Sequence, residues 1–530
     1  MPDPRVAIYD TTLRDGSQAE GVSYSLEDKL LIARALDGFG VDFIEGGWPF
    51  SNPKDLQLFA QLKAEGLKHS RLVAFGSTRR ANLAAADDPS LQALIETGTP
   101  VVTIFGKSWD FHVKEALKVP LSENLKMIEE SVKFLKSRGP EVIYDAEHFF
   151  DGYKHNPDYA VKTLIAATEG GASLLVLCDT NGGALPDEVE SIVRAVAAKV
   201  RLPLGIHAHN DADVAVANSL AAVRAGCIHV QGTMNGVGER CGNADLVSIV
   251  PNLILKMRKL CLRDGALAKL TETSRYIAEV MNLATDSHRP FVGASAFAHK
   301  AGVHINAIEK NPVTYEHIPP ASVGNERRIL VSELSGRSGV LSKVKGLDLG
   351  KDDKLTRKIL SYVQKLENSG FQYEAAEGSF LLLVQKLAGA WKPHFEPLGY
   401  QVAMERWDAH HPPISEVTVR IHVGGEVSET TAEGNGPVNA LDAALRKSLV
   451  PHFPELRKLQ LVDYKVRIIN PKAATGARTR VTIESRDEKD LWGTVGVSEN
   501  IIEASWQALL DSIEYKLWKD AEGRSRHVEI

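Results

Sequence analysis

Eight short apolar runs recur along the first half of the chain, and most close on polar residues. They cover residues 5–10, 43–47, 72–76, 101–106, 142–147, 174–179, 204–210 and 229–235. Between them the apolar positions return every three or four residues, as in 27–37, 122–137, 158–169, 186–199 and 213–225. The short runs suit buried strands and the three-to-four spacing suits amphipathic helices. Strands alternating with helices predict right-handed βαβ units and a parallel sheet. Eight such units within residues 1–265 match the length of a (β/α)8 barrel. A doubly wound open sheet is the alternative, but no Gly-x-Gly-x-x-Gly follows the first run.

Past that point the alternation stops. Residues 265–289 carry a helical pattern through Leu267, Leu270, Ile277, Val280, Met281 and Leu283, whereas 291–346 are mixed and include the turn-rich Ile318-Pro319-Pro320. Residues 354–368 read as a helix that Gly370 ends, so 266–370 form a mostly helical linker subdomain. From 371 the pattern changes again. Residues 380–384, 416–423, 459–469 and 478–485 read as antiparallel strands, and 436–449 and 499–518 as helices. Residues 371–530 are thus expected to be a separate α+β domain, with the charged stretch 519–530 loosely held.

Bulk composition narrows the class. Of 530 residues, 44% are hydrophobic and 25% charged, and the net charge of −6 gives no basic surface for nucleic acid or an anionic membrane. No apolar run is long enough to span a bilayer, and Met1-Pro2-Asp3-Pro4 has no signal-peptide layout. Cys178, Cys227, Cys241 and Cys261 lack a CxxC spacing and read as thiols of a reducing, cytoplasmic setting.

Chemistry concentrates where the strands end: Arg14-Asp15, Glu45, Phe105-Gly106-Lys107, Glu147-His148, Asp179-Thr180-Asn181, His207 with His209, and the stretch Asn235 to Asn243. Any one of these could be a loop polar residue or a cap, but in a barrel all would share one mouth. His207 and His209 lie two apart on a strand and project to one face. Asp15, His207, His209 and Asn243 offer a carboxylate, two imidazoles and an amide oxygen, a set suited to Mg²⁺, Mn²⁺ or Zn²⁺ with positions left open. Such an ion could chelate a 2-oxo acid, with Arg14 stabilising an oxyanion beside it. Glu147 could order a substrate, act as a base or support its neighbours, and Thr180 could donate to a substrate carboxylate.

Three blocks, Asp10-Thr-Thr-Leu-Arg-Asp-Gly16, His207-Ala-His-Asn210 and Gly238-Glu-Arg-Cys-Gly-Asn243, together resemble the DRE-TIM metallolyase superfamily of TIM barrels, which make or break carbon–carbon bonds. Ala432-Glu-Gly-Asn-Gly-Pro437 and Val462-Asp-Tyr-Lys465 resemble the regulatory dimerisation domain of its 2-isopropylmalate synthase group, and Phe297–His304 that group's linker. Glu45-Gly-Gly-Trp-Pro49, Glu147-His-Phe-Phe-Asp-Gly152 and Asp179-Thr-Asn-Gly-Gly183 are most similar to the citramalate synthase branch. The resemblance implies condensation of acetyl-CoA with pyruvate and thioester hydrolysis, feeding isoleucine synthesis, in a homodimer with isoleucine as effector at the C-terminal domain. It implies Asp15, His207, His209 and Asn243 as metal ligands, and Arg14, Glu147, His304 and Tyr315 as catalytic residues, His304 reaching over from the partner subunit. Substrate contacts fall on Arg14, Glu45, Phe105 and Thr180. Ile104, Phe105 and Trp48 would wall a small methyl group. Lys107 departs from the family's smaller residue, and the residues after Tyr315 depart from its pattern. Loops near 435–437 and 473–476 are the first candidates for the effector. Other readings are a synthase taking 2-oxoisovalerate or 2-oxoglutarate, a lyase of the superfamily, and a non-catalytic barrel.

Overall fold

The computed structural model describes residues 5–330, 353–406, 413–469 and 476–523. Eight parallel strands close into a barrel: β1 (Ala7–Asp10), β2 (Phe43–Gly47), β3 (Arg71–Ser77), β4 (Val101–Lys107), β5 (Glu141–Glu147), β6 (Leu174–Asp179), β7 (Leu204–Ala208) and β8 (His229–Gly232). Closure is made by β1 on β8, with Asp10 opposite Gly232. Successive residues of β4 show how the sequence sorts itself. Val101 helps fill the barrel interior with Tyr9, Val73, Ile143, Val176 and Cys178, whereas Val102 and Ile104 pack outward with the helices. Ile104 therefore belongs to the core between barrel and helices and does not wall the mouth. Phe105, one residue on, points the other way, as strand parity demands.

Local signals set the helices. Ser25 and Asp28 form a reciprocal capping box at the start of Leu26–Phe39, and Gly40 ends that helix at φ 95°. Lys29 of this helix reaches Asp55 of Pro53–Glu65 at 2.5 Å in a buried ion pair, and Asp55 also accepts the Trp48 N–H at 3.0 Å. That clamp shapes the turn leaving β2. The sequence expectation over 204–210 and 229–235 runs past the ordered strands. Beyond Ala208 and Gly232 the backbone turns to bridge His209 with Asn243 and Thr233 with Asp245. The helix expected over 265–289 is ordered only as Leu270–Val280, after a 3₁₀ turn at Ala266–Lys269, and Asn282 takes φ 56° just beyond it.

Two compact units divide the chain. The first joins residues up to Phe297 with His317–Arg327, and the second joins Ala298–Glu316 with Arg328 onward. The linker expected over 266–370 is thus shared between them. In the second unit β9 (Ala298–His299) pairs β10 (Arg328–Ile329), and helices Gly302–Lys310 and Asp353–Asn368 follow. Two three-stranded antiparallel sheets come next. One contains β11 (Glu396–Glu405), β12 (Ile414–Val423) and β13 (Glu426–Gly434); the other contains β14 (Gln460–Ile468), β15 (Thr479–Arg486) and β16 (Leu491–Ser498). Helices Pro437–Leu449 and Ile501–Ala521 pack on them over a shared apolar core.

Residues 380–384 are not a strand; they lie inside the helix Glu377–Ala388. A fully buried apolar run carries no period of its own, and here Phe380, Leu381, Leu382 and Val384 are all covered. Leu residues, which are not branched at Cβ, and a Gly389 cap at φ 72° favour the helix. Of the sequence readings above, residues 331–346, 473–475 and 524–530 lie outside the described residues.

Candidate active site at the barrel mouth

The C-terminal ends of the strands surround a cavity of about 210 Å³. Arg14 and Asp15 enter from the turn after β1. The Asp15 N–H is fixed by the Thr11 carbonyl at 2.9 Å. Arg14 is held on three sides: its Nε donates to Glu45 at 2.6 Å, its Nη1 lies 3.3 Å from Asp15, and its guanidinium sits 3.8 Å over the Phe75 ring. Burial opposes its charge, but Asp15 and Glu45 prevail and bind its proton more tightly. Glu45 is fully buried. It also accepts from Tyr9 at 2.6 Å and from Thr11, so its oxygens face Arg14 and the barrel core and do not line the cavity.

Asp15, His207 and His209 meet in the same cavity. Asp15 Oδ2 lies 3.4 Å from His207 Nε2 and 4.0 Å from His209 Nε2, and the two Nε2 atoms are 3.1 Å apart. Burial works against charge on His207, yet the Asp15 carboxylate outweighs it and raises the group. For His209, burial and then the His207 charge bring it down to about 3. Burial likewise opposes charge on Asp15, but Arg14 and the two imidazoles hold the carboxyl well below its usual range. Two imidazole nitrogens at that separation need something positive between them, a shared proton or a cation.

Asn243 stands beside His209 in the bridge that joins their two segments. Its Nδ2 donates to the Val237 carbonyl at 3.3 Å, and its Oδ1 is buried without a partner. The loop that carries it needs glycine. A Cβ on Gly238 (φ 155°) would sit 2.2 Å from Asn243 Nδ2, and one on Gly242 (φ 88°) 2.0 Å from the Gly236 carbonyl. A carboxylate and two imidazoles within 4.8 Å of one another, with an orphaned amide oxygen on the adjoining loop, fit a divalent cation with nitrogen and oxygen ligands.

Around this cluster stand Trp48, Phe75, Phe105, Glu147, Thr180 and Arg240. The three aromatics form one wall: Phe75 and Phe105 stack at 5.5 Å and Trp48 meets both edge-on. Glu147 pairs with Lys107, which gives that lysine a place at the rim. The Thr180 hydroxyl accepts the N–H of His148, and Arg240 ties the Thr180 carbonyl (2.8 Å) to Asp211 (2.7 Å). His304 and Tyr315 are in the second unit, where their rings stack with centroids 4.0 Å apart.

Sequence reasoning passed over Phe75, Asp145, Cys178 and Arg240, all of which line the cavity, and Gln231 behind it. Phe75, Asp145, Cys178 and Gln231 lie within strands, and the reading looked mainly past strand ends. Stepping by two along the strands from the interior positions Val73, Ile143 and Val176 would have marked Phe75, Asp145 and Cys178. Burial pushes Asp145 up to about 7 against the pull of His207.

Residues 5–277 match the HMGL-like family, residues 291–370 the homocitrate synthase post-HMGL domain-like family, and residues 374–517 the LeuA allosteric (dimerisation) domain. Over 98% of its length the chain is 53% identical to the (R)-citramalate synthase of Geobacter sulfurreducens, covering 98% of that protein. It is 54% identical to the (R)-citramalate synthase of Aquifex aeolicus, covering 98% of this chain and 99% of that one. The chain belongs to the (R)-citramalate synthase family. A probable 2-isopropylmalate synthase of Methanopyrus kandleri stands further off, at 32% identity over 97% of this chain and 98% of its own. No helix among the described residues is long and apolar enough to cross a membrane.

Proposed function

We propose that the chain condenses acetyl-CoA with pyruvate and hydrolyses the thioester, giving (R)-citramalate and CoA, as the first step of a threonine-independent route to isoleucine. The observation that carries the chemistry is the convergence of Arg14 on Asp15, His207 and His209 in one small cavity. Asp15, His207 and His209, with Asn243, would hold Mg²⁺, Mn²⁺ or Zn²⁺. When bound, the ion supplies Lewis-acid polarisation of a 2-oxo acid. Arg14, rigid between Glu45 and Phe75, would meet the keto oxygen and stabilise the negative charge it gains as the new bond forms. Thr180 would bind the carboxylate of the keto acid. The acetyl methyl gives up a proton, its carbon bonds to the keto carbon, and the keto oxygen ends as a hydroxyl. Water then cleaves the thioester to a carboxylate and free thiol, which makes the sequence irreversible.

Glu147, lining the cavity beside Lys107, would receive the methyl proton; His304 is the alternative acceptor. Loss of turnover with retained pyruvate binding in Glu147→Gln, but not in His304→Gln, would assign the proton to Glu147. The aromatic wall of Trp48, Phe75 and Phe105 would face the apolar end of the keto acid. A homodimer with isoleucine bound at the second unit completes the proposal, and four free cysteines support a cytoplasmic setting. Thiol release from acetyl-CoA, measured over a panel of 2-oxo acids, tests it. Preference for pyruvate, lost in EDTA and restored by Mn²⁺ or Mg²⁺, is expected. Preference for 2-oxoisovalerate would overturn the substrate and keep the mechanism, and no release with any acid would overturn both.

A further inference from the structure

A buried hydrogen-bond chain runs from β5 through β8 to β7. Gln231 Nε2 donates to Asp145 Oδ1 at 3.1 Å, and Gln231 Oε1 faces His207 Nδ1 at 2.9 Å. Asp145, Gln231 and His207 are 3%, 0% and 5% exposed, so water does not offer substitute partners. The chain has a direction. A carboxylate accepts, which commits the amide nitrogen of Gln231 to Asp145 and turns the amide oxygen toward the imidazole. An oxygen there can only accept, so the proton of a neutral His207 sits on Nδ1. Nε2 is left with its lone pair, and Nε2 is the atom that faces Asp15 and His209. His209 has no such arrangement, since its Nδ1 is buried without a partner.

We propose that Asp145 and Gln231 are positioning residues that lock the tautomer of His207 and so make it competent to ligate a divalent cation. The proposal rests on the metal-dependent reading above and extends it to two residues outside the ligand set. It also explains why a polar glutamine occupies a fully buried site inside the barrel, where an aliphatic side chain would pack at lower cost.

Asp145→Asn tests the direction of the chain without touching His207. The new amide can meet Gln231 with its oxygen, which keeps the chain, or with its nitrogen, which turns the Gln231 amide over and presents its NH₂ to Nδ1. In the second arrangement the His207 proton moves to Nε2 and blocks the ligand atom. Mn²⁺ is titrated calorimetrically into chelator-stripped full-length protein, with thermal unfolding in EDTA as the check on folding. Gln231→Met is expected to bind Mn²⁺ about 10–100-fold more weakly, the range for lost support of a ligating histidine, and Asp145→Asn to lose less, because its amide oxygen can still accept from Gln231. The double variant Asp145→Asn/Gln231→Glu exchanges amide and carboxylate. The carboxylate now at 231 accepts from both neighbours, and affinity is expected to return to within a few-fold of wild type. If Asp145→Asn fails to fold, Gln231→Met against the double variant decides. Wild-type Mn²⁺ affinity in Gln231→Met, or a double variant that binds no better than Gln231→Met, would overturn the tautomer lock. Wild-type protein that binds no Mn²⁺ at all would instead remove the metal reading, and the lock with it.

Discussion

At the scale of single residues, Arg14 is the side chain on which most depends. Its position is over-determined by an ion pair to Glu45, a second to Asp15 and the face of Phe75. A lysine could keep the charge but neither the forked donors nor the stacking. Arg14→Lys is expected to fold and to bind Mn²⁺ nearly as wild type does. Its turnover should fall by at least about 10²-fold, the usual cost of losing one preorganised donor to a developing oxyanion. Steady-state kinetics beside calorimetric Mn²⁺ binding checks this, and near-normal turnover would remove Arg14 from the chemistry. The Asp15, His207 and His209 cluster was legible in the sequence because each residue ends a strand or opens the turn after it. Gln231 was not, because a lone glutamine inside an apolar run carries no signal until its two neighbours are known.

A second residue shows how burial alone writes a pH dependence. His229 is 1% exposed, packed on Tyr9 and Phe43 at 5.2 and 5.6 Å, and its Nε2 has no partner. Desolvation brings it from 6.5 down to about 3. The unfolded chain therefore takes up a proton below about 6.5 that the folded barrel refuses until about 3. Stability contributed by the neutral imidazole is complete above that window and is lost as pH falls through it, by up to about 1.4 kcal/mol per pH unit. His229→Phe removes the titration while keeping an aromatic ring in the site. Urea midpoints of the two proteins should diverge steadily from pH 6.5 to 5, the variant losing less. Parallel curves would mean that His229 is protonated at little cost in the folded state.

At the scale of elements, the barrel was readable because parallel strands are apolar on both faces and change character abruptly where they end. The C-terminal unit was less so. β13 carries three Glu, two Thr and a Ser with Val427 and Ala432 as its apolar positions, and β16 carries two glycines, so neither shows the expected run. The clamp between Leu26–Phe39 and Pro53–Glu65 is a feature that only the structure displays. Lys29 and Asp55 are both nearly inaccessible, and Asp55 also holds the backbone of Trp48 at the cavity wall. Asp55→Ala leaves a buried ammonium unpaired and is expected to cost about 3–5 kcal/mol in urea unfolding. The double variant Lys29→Met/Asp55→Ala should recover most of that loss. Failure to recover would place the cost in the Trp48 turn and not in the unpaired charge.

At the scale of the whole molecule, the second unit presents a surface that a lone chain does not bury. Among the described residues β14 is an edge strand, paired only with β15, and along it Val462, Val466 and Ile468 are 43%, 44% and 57% exposed. Tyr464, between them, turns inward and reaches Ser505 of the helix Ile501–Ala521 at 2.8 Å. A long edge strand with exposed branched apolar residues invites pairing with another chain, and the devices that normally blunt such an edge are here the charges of Asp463, Lys465 and Arg467 and the register irregularity between Leu461 and Asp463, leaving Val466 and Ile468 at the far end. In a homodimer that buries this edge, Val466→Lys with Ile468→Lys would place two charges in the contact. Light scattering at micromolar concentration is expected to give the wild-type protein as a dimer and the double variant as a monomer. The thermal midpoint of the C-terminal unit should depend on concentration in the first and not in the second. Mn²⁺ binding as proposed for the barrel should be kept in both, because Asp15, His207, His209 and Asn243 all belong to the first unit. A double variant that remains dimeric would move the contact off β14 to another face of the chain.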